Sequence, residues 1–423
     1  MQHVIIGNGP AGVIGAETIR KHAPGDDILL IGDEPEPPYS RMAIPYLLQG
    51  QVSESGTYLR KTAGHFDRLR IRQLTARVSD LDCAARRLTL DDGTSIGFDK
   101  LLLATGSIPI RAPVPGIDSA GVHNCWTLAD ARAIMALALP GARVVQMGAG
   151  FIGCIILEAL AARGVHLTVV EMGERMVPRM MGEGAGTLIR RWCEAKGVTV
   201  QTGTRVESII EQRDGADPPL RLRLSNGELL DADLVISATG VRPNIGFLER
   251  SGIRCLQGIL VDDTMQSSVA GIYAAGDCAE AFDHVTGHTI VSAIQPNAAS
   301  QAYCAGMNMA GRHALQPGVT QINVLDTLGL VSVSFGQWHG VPGGQRVEVT
   351  DADAFRHVRL EFDGDALIGA NAIGLTEHVG MLRGLIESRV KLGPWKDVLL
   401  ADPTRLADAY IASVMPQQTR RGA

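Results

Sequence analysis

The chain has no two cysteines close enough in sequence to form a local redox pair. Its seven, Cys83, Cys125, Cys154, Cys193, Cys255, Cys278 and Cys304, are scattered through 423 residues. No CxxC, CxxxxC or metal-ligand spacing results, and reduced structural thiols are expected. The histidines, His3, His65 and His339 among them, are scattered apart from the pair His284 and His288, and no metal site is expected. Positive charge is short as well. With 39 Lys and Arg against 45 Asp and Glu, the net charge is −6, which leaves a general nucleic-acid role without electrostatic footing. No apolar run is long enough to span a membrane; the longest, about 144–157, is interrupted by glycine. The N-terminus, MQHVIIGNGP, lacks the basic region and cleavage site of a signal peptide and enters a strand at once. A cytoplasmic protein is expected.

What the chain has in excess is glycine. The 49 glycines are not in low-complexity runs but at strand ends and helix starts, where tight turns and close backbone approach need them. Hydrophobic content of 45% with 20% charged residues is that of an ordinary globular protein, and the length predicts two or three domains.

Two stretches repeat one plan. Residues 2–32 read QHVIIGNGPAGVIGAETIRKHAPGDDILLIG: a β-rich run His3–Ile6, then Gly7, Gly9, Pro10, Ala11 and Gly12, a helix to about Lys21 and a second strand Ile28–Ile31. The acids Asp33 and Glu34 follow it. Residues 143–171 read RVVQMGAGFIGCIILEALAARGVHLTVVE, with Gly148, Gly150, Phe151, Ile152 and Gly153 in the matching places and Glu171 ending the second strand. In such a G-x-G-x-x-G unit the first glycine permits the turn and the second lets backbone approach a pyrophosphate. The third lets helix pack on strand, and the phosphate meets the helix N-terminus. One fingerprint is weak evidence; two in correct strand–helix–strand context predict two bound dinucleotides. A carboxylate at the strand end accepts from both ribose hydroxyls and repels a 2′-phosphate. Glu171 is followed by MGER without an Arg cluster, which favours NAD(H) over NADP(H), although Arg175 lies near.

Three further segments share the pattern of a known family: LLLATGSIP at 101–109, ISATGVRPN at 236–244 and IYAAGDCAE at 272–280. With the two fingerprints, in this order and spacing, the chain resembles the FAD-dependent pyridine nucleotide-disulfide oxidoreductases over nearly its whole length. The resemblance implies an α/β fold of two Rossmann-like dinucleotide-binding domains, glutathione reductase-like, plus an α+β C-terminal interface domain. It implies an FAD domain at 1–115 and 245–317, an NAD(P) domain at 116–244 and the C-terminal domain at 318–423. It places Ala104, Thr105 and Gly106 close to FAD, Gly276 and Asp277 at the ribityl–phosphate region, and Gly240 on the NAD side. The residues themselves agree on the third part. FRHVRLEFDGDALIGANAIG reads as a hairpin turning at Asp363–Gly364, followed by a helix from about Thr376 to Arg389. Such tails often pair across a two-fold axis, and a homodimer is expected.

Within the family, GDEPEPPYSRMAI resembles the branch of ferredoxin and rubredoxin reductases, the flavin module of nitrite reductases and NADH oxidases. That resemblance implies Glu34 on the FAD adenosine ribose, Arg41 at the pyrophosphate and the Val78 backbone at adenine. Sulfur-dependent relatives carry Cys-Ala-Leu-Pro-Tyr where this chain has Met42, Ala43, Ile44, Pro45 and Tyr46. A thioether can neither attack a disulfide nor form a sulfenic acid, so sulfur chemistry is not expected and Met42 is expected to line the flavin site. Reductases lacking that cysteine usually pair a Lys in this segment with a Glu past the NAD fingerprint. Here Tyr46 and Ile155 stand instead, and losing both halves avoids a stranded charge.

No side chain is therefore assigned as catalytic; the flavin carries the chemistry. The expected activity is hydride transfer from NADH to FAD and onward transfer to a ferredoxin- or rubredoxin-like redox protein. The alternatives are an oxidase reducing oxygen and a low-turnover flavin redox sensor. A basic stretch at 59–73, LRKTAGHFDRLRIRQ, reads either as a solvated face or as a docking patch for an acidic carrier.

Overall fold

A computed structural model describes residues 1–212 and 217–414. The chain divides into two compact units, one of Met1–Ile108 with Val241–Val319, the other of Pro109–Gly240 with Thr320–Ala423.

In the first unit the fingerprint strand Gln2–Ile6 sits at the centre of a five-stranded parallel sheet. Lys100–Leu103 and Ile272–Ala274 lie on one side of it, Asp27–Gly32 and Ile71–Thr75 on the other. All but the edge strand Ile71–Thr75 are nearly continuous apolar runs because both faces are covered. Ile5, Ile28, Leu30 and Leu102 belong to the core beneath the helices Pro10–His22 and Gln295–Met309. Their neighbours Val4, Ile6, Leu29, Ile31, Leu101 and Leu103 belong to the opposite core. There they meet Val78, Leu81, Leu88 and Leu90 of an antiparallel three-stranded sheet, Val78–Asp82, Arg87–Leu90 and Ser95–Gly97. The two helices touch almost backbone to backbone. A Cβ on Gly306 would lie 2.8 Å from the Thr18 Cβ and 3.0 Å from the Gly15 carbonyl oxygen.

The second unit repeats the plan. Arg143–Met147 is central in a parallel sheet with His166–Val170 and Thr199–Gln201 on one side and Leu234–Ser237 and Val122–His123 on the other. An antiparallel sheet of Val206–Glu211, Leu220–Leu224 and Leu229–Ala232 packs on Val145, Met147 and Val170. The same unit holds a five-stranded antiparallel sheet, in the order Ile322–Thr327, Leu330–Gly336, Ala366–Ile373, Arg356–Asp363 and Gln345–Asp351. The expected hairpin is present: Asp363 pairs Ala366 across Gly364 and Asp365, with a register shift at Glu361/Phe362. The helix after it runs Val379–Ser388, shorter at its start than expected. His378 occupies the N-cap without a side-chain capping bond, and it and Glu377 are exposed. The α/β architecture with two Rossmann-like sheets is the one the resemblance implied. Among the described residues no helix is long and apolar enough to cross a membrane.

Gly306→Ala is expected to lower the unfolding free energy by about 1–3 kcal/mol in urea titration, because overpacked contacts cannot relax. Gly25→Ala, where a Cβ meets nothing within 4 Å, is expected to be neutral or slightly stabilising.

Candidate functional site: two phosphate cradles

Each fingerprint turn leaves no space for a side chain at its first and third glycines. Gly7 has φ of +107°, and a Cβ there would sit 2.0 Å from the carbonyl oxygen of Ala104. The turn is pinned because the Gly7 amide donates to the Ile31 carbonyl (2.7 Å) and the Ala104 amide to the Ile6 carbonyl (2.8 Å). A Cβ on Gly12 would lie 1.7 Å from the Gly7 carbonyl oxygen, so the helix rests directly on the turn. The second copy matches. Gly148 has φ of +99° with Ala238 oxygen 2.5 Å from the built Cβ, and Gly153 faces the Gly148 oxygen at 2.6 Å.

The middle glycines differ in kind. Gly9 and Gly150 hold ordinary extended N-cap conformations, φ −72° and −74°, that any residue adopts. A Cβ on either meets nothing within 4 Å. Nothing in the protein requires glycine at these two positions. The space above each lies at the N-terminus of a helix, Pro10–His22 or Phe151–Ala161, where the amides and dipole favour an anion. Each cradle fits a dinucleotide pyrophosphate.

Other groups converge on the first cradle. Gly276, φ +82°, brings its backbone against Ala11, with a built Cβ 3.3 Å from the Ala11 Cβ, and its amide donates to Gln301 Oε1 (2.9 Å). Asp277 follows, its Oδ2 accepting from Ser107 Oγ at 2.8 Å. Burial pushes the Asp277 carboxyl up, against the Ser107 bond and the positive charge of Arg41. Thr105 Oγ1 donates to the Asn244 carbonyl (2.8 Å) and the Asn244 amide to Gly106 (2.9 Å), which holds the ATG turn. Val78 is buried at the start of its strand.

Glu34 and Arg41 form one ion pair at 2.6 Å, and Tyr39 donates to the other Glu34 oxygen at 2.6 Å. Arg41 also donates to Tyr39 Oη (3.1 Å) and its guanidinium lies 5.7 Å from the Tyr39 ring centre. The two residues assigned separately to ribose and pyrophosphate are thus joined, and Tyr39, which sequence reasoning left without a role, joins them. Ser40 ties this segment to Gln295 at the start of the helix Gln295–Met309 (3.0 Å). Met42 and Tyr46 are half exposed on the short helical turns Arg41–Ala43 and Ile44–Leu48.

In the second cradle Glu171 is buried, and its carboxylate takes backbone amides from Ala149 (2.6 Å) and Gly173 (2.7 Å). Gln146, wholly buried, donates to the carbonyls of Gly148 and Gly153 and was not foreseen. Gly240, φ +114°, accepts from the Ile110 amide (2.9 Å). Phe151, Ile152 and Ile155 are partly exposed along the helix. Arg175 turns its Nε and Nη2 to the carbonyls of Met181 and Pro178. In the basic stretch, Arg60 and His65 are matched by Glu17, while Lys61, Arg68, Arg70 and Arg72 are exposed.

All seven cysteines are free. Burial pushes the Cys125 and Cys193 thiols up to about 12 and Cys304 to about 11, and raises Cys83, Cys154, Cys255 and Cys278 as well. None is poised as a thiolate nucleophile. Among the described residues no group of His, Cys, Asp and Glu could hold a metal ion.

The pyridine nucleotide-disulphide oxidoreductase model matches residues 1–302. The NADH-dependent phenylglyoxylate dehydrogenase subunit epsilon of Aromatoleum evansii is 31% identical over 406 residues, 95% of either chain. The anthranilate 1,2-dioxygenase system ferredoxin–NAD(+) reductase component of Burkholderia cepacia is 31% identical over 410 residues, 95% of this chain and 97% of that one. The solved NAD-dependent persulfide reductase from A. fulgidus superposes with a TM-score of 0.85 at 27% identity, covering 93% of this chain and 78% of that one. The chain belongs to the pyridine nucleotide-disulphide oxidoreductase family and is an FAD-dependent NAD(P)H oxidoreductase without a redox-active disulfide.

The middle glycines separate the two nucleotides. Gly9→Ala is expected to leave apoprotein stability within about 0.5 kcal/mol of wild type, as for a surface change, while FAD is lost on gel filtration. Gly150→Ala is expected to keep its FAD and to weaken NADH binding at least about tenfold, or 1.4 kcal/mol, in equilibrium titration.

Proposed function

We propose that this family member takes a hydride from NADH onto FAD and passes the electrons to a small ferredoxin- or rubredoxin-like redox protein. The observation that carries the reading is a pair of phosphate cradles in a chain whose exposed turn bears Met42, a thioether, in place of a thiol. Bound FAD supplies two-electron chemistry toward the nicotinamide and one-electron release toward the acceptor. The chain's own share is binding and orientation. In this reading the Pro10–His22 helix start and Gly9 meet the FAD pyrophosphate, with Ala11, Gly12 and Gly276 shaping the turn around it. Glu34, with lone pairs left beside its Arg41 and Tyr39 bonds, accepts from the adenosine ribose. Arg41 offsets phosphate charge, and the Val78 backbone borders adenine. Asp277, positioned by Ser107, binds the ribityl region beside Ala104, Thr105 and Gly106. The helix start at Gly150, Phe151 and Ile152 receives the NADH pyrophosphate, while Glu171 accepts from its ribose and Gly240 borders it. Arg175, spent on its own loop, is a poor partner for a 2′-phosphate, which supports NADH over NADPH.

Two relatives aligned over nearly their whole lengths are named as parts of multi-component systems, a dehydrogenase subunit and a ferredoxin reductase component. That supports a protein as electron acceptor. We also read the chain as a homodimer with its third domain, 318–423, at the interface. The strand Gln345–Asp351 supports this, since it ends its sheet and is exposed along most of its length.

Stopped-flow mixing is expected to bleach the bound flavin within seconds with NADH, with kcat/KM at least about tenfold, or 1.4 kcal/mol, above NADPH. Reduced protein is then expected to transfer electrons to a ferredoxin or rubredoxin faster than to oxygen. Rapid oxygen-dependent NADH consumption without a carrier would defeat the carrier reading in favour of an oxidase. Carrier reduction that does not change between low and high ionic strength would exclude the 59–73 stretch as its docking patch. Light scattering is expected to give twice the 45.0 kDa chain mass; a monomer would remove the dimer from the reading.

A further inference from the structure

The segment that follows Glu171 leaves the second cradle, passes under its fingerprint and enters the helix Glu183–Ala195. It meets the fingerprint through a backbone bond, the Val177 amide donating to the Ala149 carbonyl at 2.8 Å. The Ala149 amide in turn donates to Glu171 Oε2, so the middle residue of Gly148-Ala149-Gly150 is held through both its amide and its carbonyl. Val177 holds this place with φ of +50°, a left-handed conformation that is strained for a buried β-branched residue. Strain of that kind persists only where the surroundings over-determine it.

The surroundings are a side chain far along the chain. Asn371, wholly buried in the strand Ala366–Ile373 of the C-terminal sheet, accepts from the Gly182 amide through Oδ1 at 3.0 Å. Its Nδ2 donates to the Met180 carbonyl at 2.9 Å and to Ala370 at 3.2 Å. Met180 and Met181 close back on the Val177 carbonyl at 2.9 and 3.0 Å, which makes the loop one turn whose base Asn371 holds. Beside it a Cβ on Gly182 would lie 2.6 Å from Arg359 Nη1, and Arg359 is itself fixed by Glu361 at 2.6 Å. The primary amide supplies the acceptor for the Gly182 amide and the donor for the Met180 carbonyl. A carboxylate would oppose the Met180 carbonyl, and an apolar residue would leave two buried backbone groups unpaired.

We propose that Asn371 is a positioning residue for the NAD(H) site, through which the C-terminal sheet holds the 172–182 loop, its strained Val177 and hence the Ala149–Glu171 geometry. The proposal rests on the reading that the second fingerprint binds NADH. Without the amide the loop relaxes toward negative φ at Val177, the bond to Ala149 is lost and the cradle loosens, while the FAD cradle keeps its own supports.

The test uses purified FAD-loaded protein and ADP-ribose, the probe of the pyrophosphate and ribose contacts, in calorimetric titration. Asn371→Ala is expected to raise the ADP-ribose dissociation constant about tenfold or more. FAD content, the visible spectrum and the limiting rate of flavin reduction at saturating NADH are expected to stay within about twofold of wild type. Asn371→Asp, of equal volume, is expected to shift affinity in the same direction and serves if the alanine variant does not fold. Val177→Gly, which adopts φ +50° freely, is expected in the Asn371→Ala background to restore affinity to within about threefold of wild type; a merely packing role for Asn371 would make that double variant worse. Unchanged ADP-ribose affinity in a folded Asn371 variant, or no recovery on adding Val177→Gly, overturns the proposal. Failure of the underlying reading looks different: wild-type protein itself would not bind ADP-ribose, and Gly150→Ala would leave NADH-dependent flavin reduction intact.

Discussion

The structure depends on one steric constraint met twice, the approach of a helix start to a strand turn at distances no Cβ survives. At Gly7 and Gly148 the turn lies against the carbonyl of a neighbouring segment, Ala104 in one unit and Ala238 in the other. At Gly12 and Gly153 the helix lies on the turn itself. These contacts aim the first helical amides at an open volume above Gly9 and Gly150. The parallel sheets, their buried strands and the covering antiparallel layers are what hold two such turns rigid.

Around the same turns the two units spend polar groups differently. In the first, charged side chains bond to other side chains: Glu34 with Arg41 and Tyr39, and Asp277 with Ser107. Two carboxylates and one guanidinium are then available to a long cofactor with both ribose and phosphate groups. In the second, the polar groups brace backbone. Gln146 holds the carbonyls of both flanking glycines, and Glu171 accepts amides from Ala149 and Gly173. A tightly retained cofactor and an exchanging one call for such a difference, many ligand contacts in one case and a preformed frame in the other.

The sulfur groups are not poised for nucleophilic attack: Met42 on its exposed turn is a thioether, and burial raises the thiols of the cysteines.

The sequence by itself determined both dinucleotide units, element by element, because glycine spacing, helix period and apolar strand runs are local signals. The strands Gln2–Ile6 and Asp27–Gly32 and the end of the helix Pro10–His22 fall within a residue of expectation. The family, the thioether at position 42 and the acids at the strand ends were equally legible, each being one residue in a fixed local frame. The start of the helix at Val379 was not, since helix boundaries depend on capping and packing more than on periodicity. Tertiary structure alone decided which distant groups meet: Ser107 with Asp277, Gln295 with Ser40, and Asn371 with the backbone at Met180 and Gly182. A side-chain amide that satisfies a backbone loop nearly two hundred positions away leaves no pattern in its own neighbourhood. Its partner is chosen by how sheets stack, and no local rule reaches that far.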